Sequence, residues 1–152
     1  MTPPARPSAE SRIEALADHL HAAWAAGDPT VRARLLSECC APRVRYANPL
    51  GEAIGVAALT DLIGRCLAPY PGHRPTRTSA VDLHHGRARW EWGLRDGIGQ
   101  VVLMGLDVVT LAEAAPDHQR DAPRGPLLAT VSTFFGPPPP RIRTHVFGAV
   151  HG

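Results

Sequence analysis

The apolar residues of this chain repeat at a helical period up to Leu67 and alternate every second residue from Thr76 onward, and that one change constrains the fold more than any other feature. Ser11 and Glu14 stand at capping-box spacing before a stripe of Ile13, Leu16, Ala17, Leu20 and Trp24, which Gly27 stops. Asp28 and Pro29 then cap and open a short second helix through Val31, Leu35 and Leu36 to Cys39. Arg43–Asn48 reads as a brief strand ended by Pro49 and Gly51, and Gly55–Leu67 returns to helical spacing through Val56, Leu59, Ile63 and Cys66.

Beyond Pro69, Pro71 and Gly72 the pattern predicts an antiparallel meander: Thr76–His85, a turn at Gly86, Arg87–Leu94, a turn at Asp96–Gly97, and Ile98–Thr110. A Pro-, Asp- and Arg-rich stretch at 112–126 reads as a mobile loop before a further apolar strand, Leu127–Phe135. Pro137–Pro140 predicts extended polyproline leading to a tail whose Ile142, Val146 and Phe147 need a surface to pack on. The expected fold is α+β: a cone-shaped, curved antiparallel β-sheet with three N-terminal helices covering its concave face. At 152 residues the chain reads as one domain at 10–136, with a flexible N-terminus at 1–9 and a Pro-rich C-terminal extension at 137–152.

Ile98–Thr110 is apolar on both faces. One face offers Val101, Leu103, Gly105, Asp107 and Val109, the other Val102, Met104, Leu106 and Val108. Helices can cover only one of them, so the second predicts a homodimer through the sheet, with the C-terminal tail as the alternative cover.

All 16 basic side chains are Arg, so Schiff-base, pyridoxal and Walker-type lysine chemistry is excluded. A formal net charge of +2, with arginines scattered among 14 acidic residues, offers no footprint for nucleic acid or an anionic membrane. Met1–Ser11 has no apolar core of a leader, and no stretch approaches the roughly 18 apolar residues of a membrane span, so a cytoplasmic protein is expected. Cys39, Cys40 and Cys66 are an odd set without a CxxC pair and read as buried thiols. His19 and His21, two apart on a helix, do not share a face for chelation; neither a metal nor any other cofactor is expected.

Asp107 is the most informative residue, because it stands alone among apolar neighbours in Leu103–Leu111 and alternation points it toward the covered interior. Desolvation there raises a carboxyl pKa and makes it a stronger base, or a neutral donor, near neutral pH. The plain alternative is an Asp bonded to backbone amides at a bulge. Tyr46 and Asn48 share a strand face, so a phenol and an amide could hold one oxygen or one water; equally, an Asn before Pro begins many turns. Trp24, Trp90 and Trp92 could stack on a flat hydrophobic substrate or simply fill the core. Of the adjacent His84 and His85, the pattern of Val81 and Leu83 places His85 inward, where an imidazole could share protons with Asp107; a strand-end histidine exposed beside Gly86 is the alternative.

The order of elements resembles the SnoaL-like polyketide cyclases of the nuclear transport factor 2-like superfamily, to which ketosteroid isomerases and limonene epoxide hydrolases also belong. The residues that carry the resemblance span roughly 10–136. They are Ala25-Ala26-Gly27-Asp28, Tyr46-Ala47-Asn48-Pro49-Leu50-Gly51, Gly55, Val81–Gly86, Ala88-Arg89-Trp90-Glu91-Trp92, Gly105-Leu106-Asp107 and Phe134-Phe135-Gly136. The resemblance implies that Asp107 is the acid/base aspartate. It also sets Asn48 where ketosteroid isomerases have their general-base aspartate, and Leu20 where they have an oxyanion tyrosine, which argues against steroid isomerisation.

Tyr46-Ala47-Asn48 resembles the water-holding Tyr-x-Asn of limonene epoxide hydrolases, whose Arg-x-Asp partner Arg89-Trp90-Glu91 could imitate. Alternation turns Arg89 and Glu91 away from the interior. The expectation is thus a cofactor-independent cyclase or isomerase of secondary metabolism acting on a hydrophobic carbonyl small molecule. Asp107, Asn48, Tyr46 and His85 would be catalytic, and Trp24, Trp90, Trp92, Leu20 and Leu103 would bind substrate. An epoxide hydrolase and a non-catalytic binder are the alternatives.

Overall fold

A computed structural model describes residues 1–112 and 125–138. The expected polyproline and tail beyond Pro138, and nearly all of the 112–126 loop, lie outside the described residues. Three helices come first: α1 (Ala9–Ala25), α2 (Pro29–Cys39) and, after two strands, α3 (Val56–Leu67). Helix α1 starts before the expected Ser11 because Ser8 is the residue whose hydroxyl accepts the Ser11 N–H, at 3.1 Å. Asp28 caps α2 by accepting the Thr30 N–H at 2.7 Å, with Pro29 in the first turn where its missing N–H is harmless. Gly55 enters α3 at φ +87°, a backbone region that other side chains avoid.

The strands are β1 (Cys40–Asn48), β2 (Gly51–Ile54), β3 (Arg74–Arg77), β4 (Asp82–His84), β5 (Arg87–Arg95), β6 (Val101–Ala112) and β7 (Leu127–Phe135). They form one seven-stranded sheet in the order β2-β1-β7-β6-β5-β3, with β4 also paired to β5. Three features depart from the sequence reading. The expected strand Thr76–His85 is two short strands on one edge of β5, and β2 is an additional hairpin partner of β1. The sheet is also mixed, since β1 runs parallel to β7. Hairpin-linked neighbours must be antiparallel, whereas β1 and β7 meet without a hairpin, and alternation says nothing about the direction of such a pair.

Helices and sheet enclose one apolar core built from Ile13, Ala17 and Leu20 of α1, Leu36 of α2, Leu59 and Ile63 of α3, and Val44, Trp90, Val109 and Val131 of the sheet. Arg77 ties β3 to α1 by donating to Asp18 at 3.0 Å, and this paired guanidinium is held more firmly protonated than an ordinary Arg. The outer face of β6 is uncovered: Val101, Met104 and Val108 are exposed, with Phe134 of β7 beside them. The register shift between Leu94 and Arg95 breaks the alternation, so that Val101 joins that face while Val102, itself 53% exposed, lines the cavity mouth. Among the described residues no helix is long and apolar enough to cross a membrane.

Candidate active site

Between the helices and the concave face of β5, β6 and β7 lies a cavity of about 590 Å³ whose wall is mostly apolar. Asp107 of β6 is in that wall, 3% exposed. Its partners come from the strands on either side. Trp92 Nε1 donates to Asp107 Oδ1 at 3.0 Å, and Thr133 Oγ1 donates to the same oxygen at 2.7 Å. The sequence suggests an unpaired carboxyl; the structure supplies two side-chain donors and, among the described residues, no backbone amide. Oδ1 is thereby fixed, and Oδ2 faces His21 of α1, whose Nε2 is 3.5 Å away.

Trp92 reaches Asp107 because β6 has glycine at 105. A Cβ there would stand 2.1 Å from the indole Cζ2, so any larger residue would displace the ring. Phe135 meets the same indole edge-on at 6.0 Å between ring centres.

Tyr46 and Asn48 on β1 continue the polar strip. Asn48 Oδ1 accepts the Leu50 and Gly51 N–H groups at 2.8 and 3.1 Å, which orients its NH2 into the cavity. That NH2 donates to the Tyr46 phenol oxygen at 3.3 Å and to Cys66 Sγ at 3.7 Å. Asn48 therefore both shapes the turn and serves the cavity. Burial pushes the Tyr46 phenol well above its ordinary pKa, helped by the Asp107 charge and opposed by Thr133 and Asn48, so it is held as a proton donor.

Trp24 and Leu103 line the cavity as expected, with Tyr70 and His73 also in its wall. Three expected residues do not. His85 is exposed in the turn after β4, at φ +47°, with its ring against His84; the inward alternation stops where the strand ends. Trp90 does point inward, but at 1% exposure it belongs to the core, with the His21 ring edge-on to it at 6.4 Å. Leu20 is likewise a core residue of α1 and does not line the cavity.

Among the cavity residues that the sequence reading missed are His21, Thr133, Phe135 and Cys66. His21 had a readable signal, since it lies four residues after Ala17 and three before Trp24, on the buried stripe. It is 6% exposed, and neither ring nitrogen makes a hydrogen bond among the described residues. Cys39 and Cys40 are buried, with the Cys39 thiol pushed up by its contact with Cys40 and by burial, but Cys66 is only half-buried on the cavity wall. Arg89 is exposed and pairs with Asp82 at 2.9 Å, and Glu91 is exposed as well.

No protein-family model matches the chain. No curated protein matches it in sequence. Solved structures do match it in shape. A candidate isomerase of the SnoaL-like family from Agrobacterium tumefaciens superposes with a TM-score of 0.67 at 24% identity, over 81% of this chain and 96% of its own. A candidate SnoaL-like polyketide cyclase from Jannaschia gives a TM-score of 0.61 at 15% identity, over 88% of this chain and 91% of its own. A nuclear transport factor 2-like protein of unknown function from Cytophaga hutchinsonii gives 0.54 at 14% identity, over 85% of this chain and all of its own. At these identities the likeness is one of architecture: this chain has the SnoaL-like, nuclear transport factor 2-like fold.

Proposed function

We propose that the protein is a cofactor-independent cyclase or isomerase that moves a proton next to the carbonyl of a hydrophobic small molecule. The observation that carries this reading is the placement of Asp107, with Oδ1 anchored by Trp92 and Thr133 and Oδ2 left on the cavity side beside His21. A carboxylate anchored on one oxygen presents the other in fixed geometry, as a general base requires. Oδ2 takes the α-proton, the enolate oxygen is held by the Tyr46 phenol and the Asn48 amide, and Asp107 returns the proton at the new position or to the oxygen. His21 Nε2 stands 3.5 Å from Oδ2, where an imidazole could share protons with Asp107, the part expected of His85 from the sequence. Donors aimed at a developing oxyanion are commonly worth about 3–4 kcal/mol each.

A cavity of about 590 Å³ is within the range of small-molecule sites, which supports a ligand the size of a fused-ring carbonyl compound. Epoxide hydrolysis of the limonene type has less support, because Arg89 and Glu91 face outward. The test is to incubate hydrophobic ketones that bind the cavity, tetralones first, in deuterated water and follow their α-protons by NMR. The enzyme should exchange them faster than buffer. Binding without exchange across the panel would leave a binding protein, and incorporation of labelled water oxygen into an epoxide would make it a hydrolase.

We also propose that two copies pair through the outer face of β6 and β7. Met104, Val108 and Phe134 are 56%, 38% and 56% exposed there, a contiguous apolar surface of the kind an isologous dimer buries. Sedimentation at micromolar concentration distinguishes dimer from monomer.

A further inference from the structure

Arg32 of α2 is 6% exposed, yet among the described residues no carboxylate lies within ion-pair distance of it. Its Nε donates to the Ala23 carbonyl at 3.3 Å and its Nη2 to the Ala26 carbonyl. These carbonyls belong to the C-terminal end of α1, whose dipole offers only about half a negative charge. The remaining nitrogen, Nη1, donates no hydrogen bond among the described residues, is not wholly closed off from solvent, and passes Gly64, where a Cβ would stand 3.4 Å from it. A guanidinium largely removed from water, with neutral carbonyls as its partners and one nitrogen still free to donate, has capacity left for an anion.

Arg32 lines a second cleft, of about 520 Å³, between the α1–α2 turn and the end of α3. Arg74 and His73 also line it, and among the described residues no Asp or Glu does. Trp24, Leu67, Tyr70 and His73 line both this cleft and the cavity that holds Asp107. The two spaces therefore border one another along these four side chains.

We propose that this cleft is an anion subsite, and that the substrate is a hydrophobic carbonyl compound bearing a carboxylate or a phosphate. The acidic group docks on Arg32 and Arg74 while the carbonyl body occupies the main cavity. This rests on the reading of that cavity as the substrate site. It narrows the substrate class, since a purely neutral polycycle would leave Arg32 unmatched. Planar guanidinium groups suit both anions, because each can accept two parallel N–H bonds.

Matched probes test it: naphthylbutanoate, naphthylpropyl phosphate and the neutral naphthylbutanamide, titrated against the tryptophan fluorescence of the whole protein, in which Trp24 borders both spaces. One of the two anions should bind at least about tenfold tighter than the amide, and the larger ratio names the natural group. Arg74→Gln, at an exposed position, should lower that ratio by about threefold. Arg32→Lys, which keeps the charge but loses the planar fork, should lower it further. If Arg32→Lys fails to fold, the wild-type ratio and Arg74→Gln decide the matter.

Equal affinity for anions and amide, or no binding of any probe, overturns the proposal. So does a ratio untouched by Arg74→Gln and by a folded Arg32→Lys. A ratio near one with α-proton exchange on neutral ketones intact removes the anion subsite alone. Missing exchange with the ratio preserved removes the catalytic reading alone.

Discussion

Thr133→Val removes one oxygen-borne proton from the molecule and almost nothing else. Thr133 is 8% exposed and its hydroxyl donates to Asp107 Oδ1 at 2.7 Å, so valine keeps the volume and deletes the donor. A hydrogen bond to an ionised group contributes about 1.5–3 kcal/mol, and the Trp92 donor at 3.0 Å remains to limit the damage, so a loss of about 2 kcal/mol is expected. For a domain of this size that lowers Tm by about 6 °C. Urea titration should show a lower midpoint with an unchanged slope, the sign of altered stability without altered compactness. Thr130→Val sets the scale, because Thr130 bonds the neutral Thr110 hydroxyl at 2.7 Å across the same two strands. That variant should lose only about 1 kcal/mol. Equal losses in the two variants would refute the claim that Thr133 anchors a charged carboxylate.

Gly105→Ala should force the Trp92 indole off Asp107, with a stability loss of about 1–3 kcal/mol and a shift in tryptophan emission, since the new Cβ meets the ring at 2.1 Å. Tyr46 has a raised pKa in the fold, so its contribution is fully present below about pH 10 and fades as pH rises from there, where the unfolded phenol ionises first. Tyr46→Phe should therefore flatten the alkaline fall in denaturation midpoint, and in the wild type the Tyr46 phenolate absorbance should appear only as the fold opens. Met104→Asp places a charge on the exposed outer face and should turn a sedimenting dimer into a monomer without changing the circular dichroism.

How much of this was legible beforehand follows from what periodicity encodes. Three helices, the meander and the inward aim of Asp107 were readable, because a period of 3.6 or 2 assigns faces directly. Alternation failed at His85, where the strand ends and a left-handed turn redirects the ring, and it gave no depth for Trp90; the place of Leu20 came from its helical stripe and the resemblance, and both are core residues that do not line the cavity. Thr133 depended on register: Asp107 pairs with Thr133 across β6 and β7, and no single-strand pattern reveals that partner. His21 lies on a readable buried stripe, but its spacing from His19 speaks only to chelation and not to a place beside Asp107.

The most direct test of the central claim is the α-proton exchange rate of a cavity-bound ketone with Asp107→Asn. The amide keeps an oxygen for Trp92 and Thr133, so the variant should fold and bind. Its exchange rate should fall by about 10²–10⁴, the range lost with a positioned base. A folded Asp107→Asn protein that binds the same ketone and exchanges its protons at the wild-type rate would contradict the account.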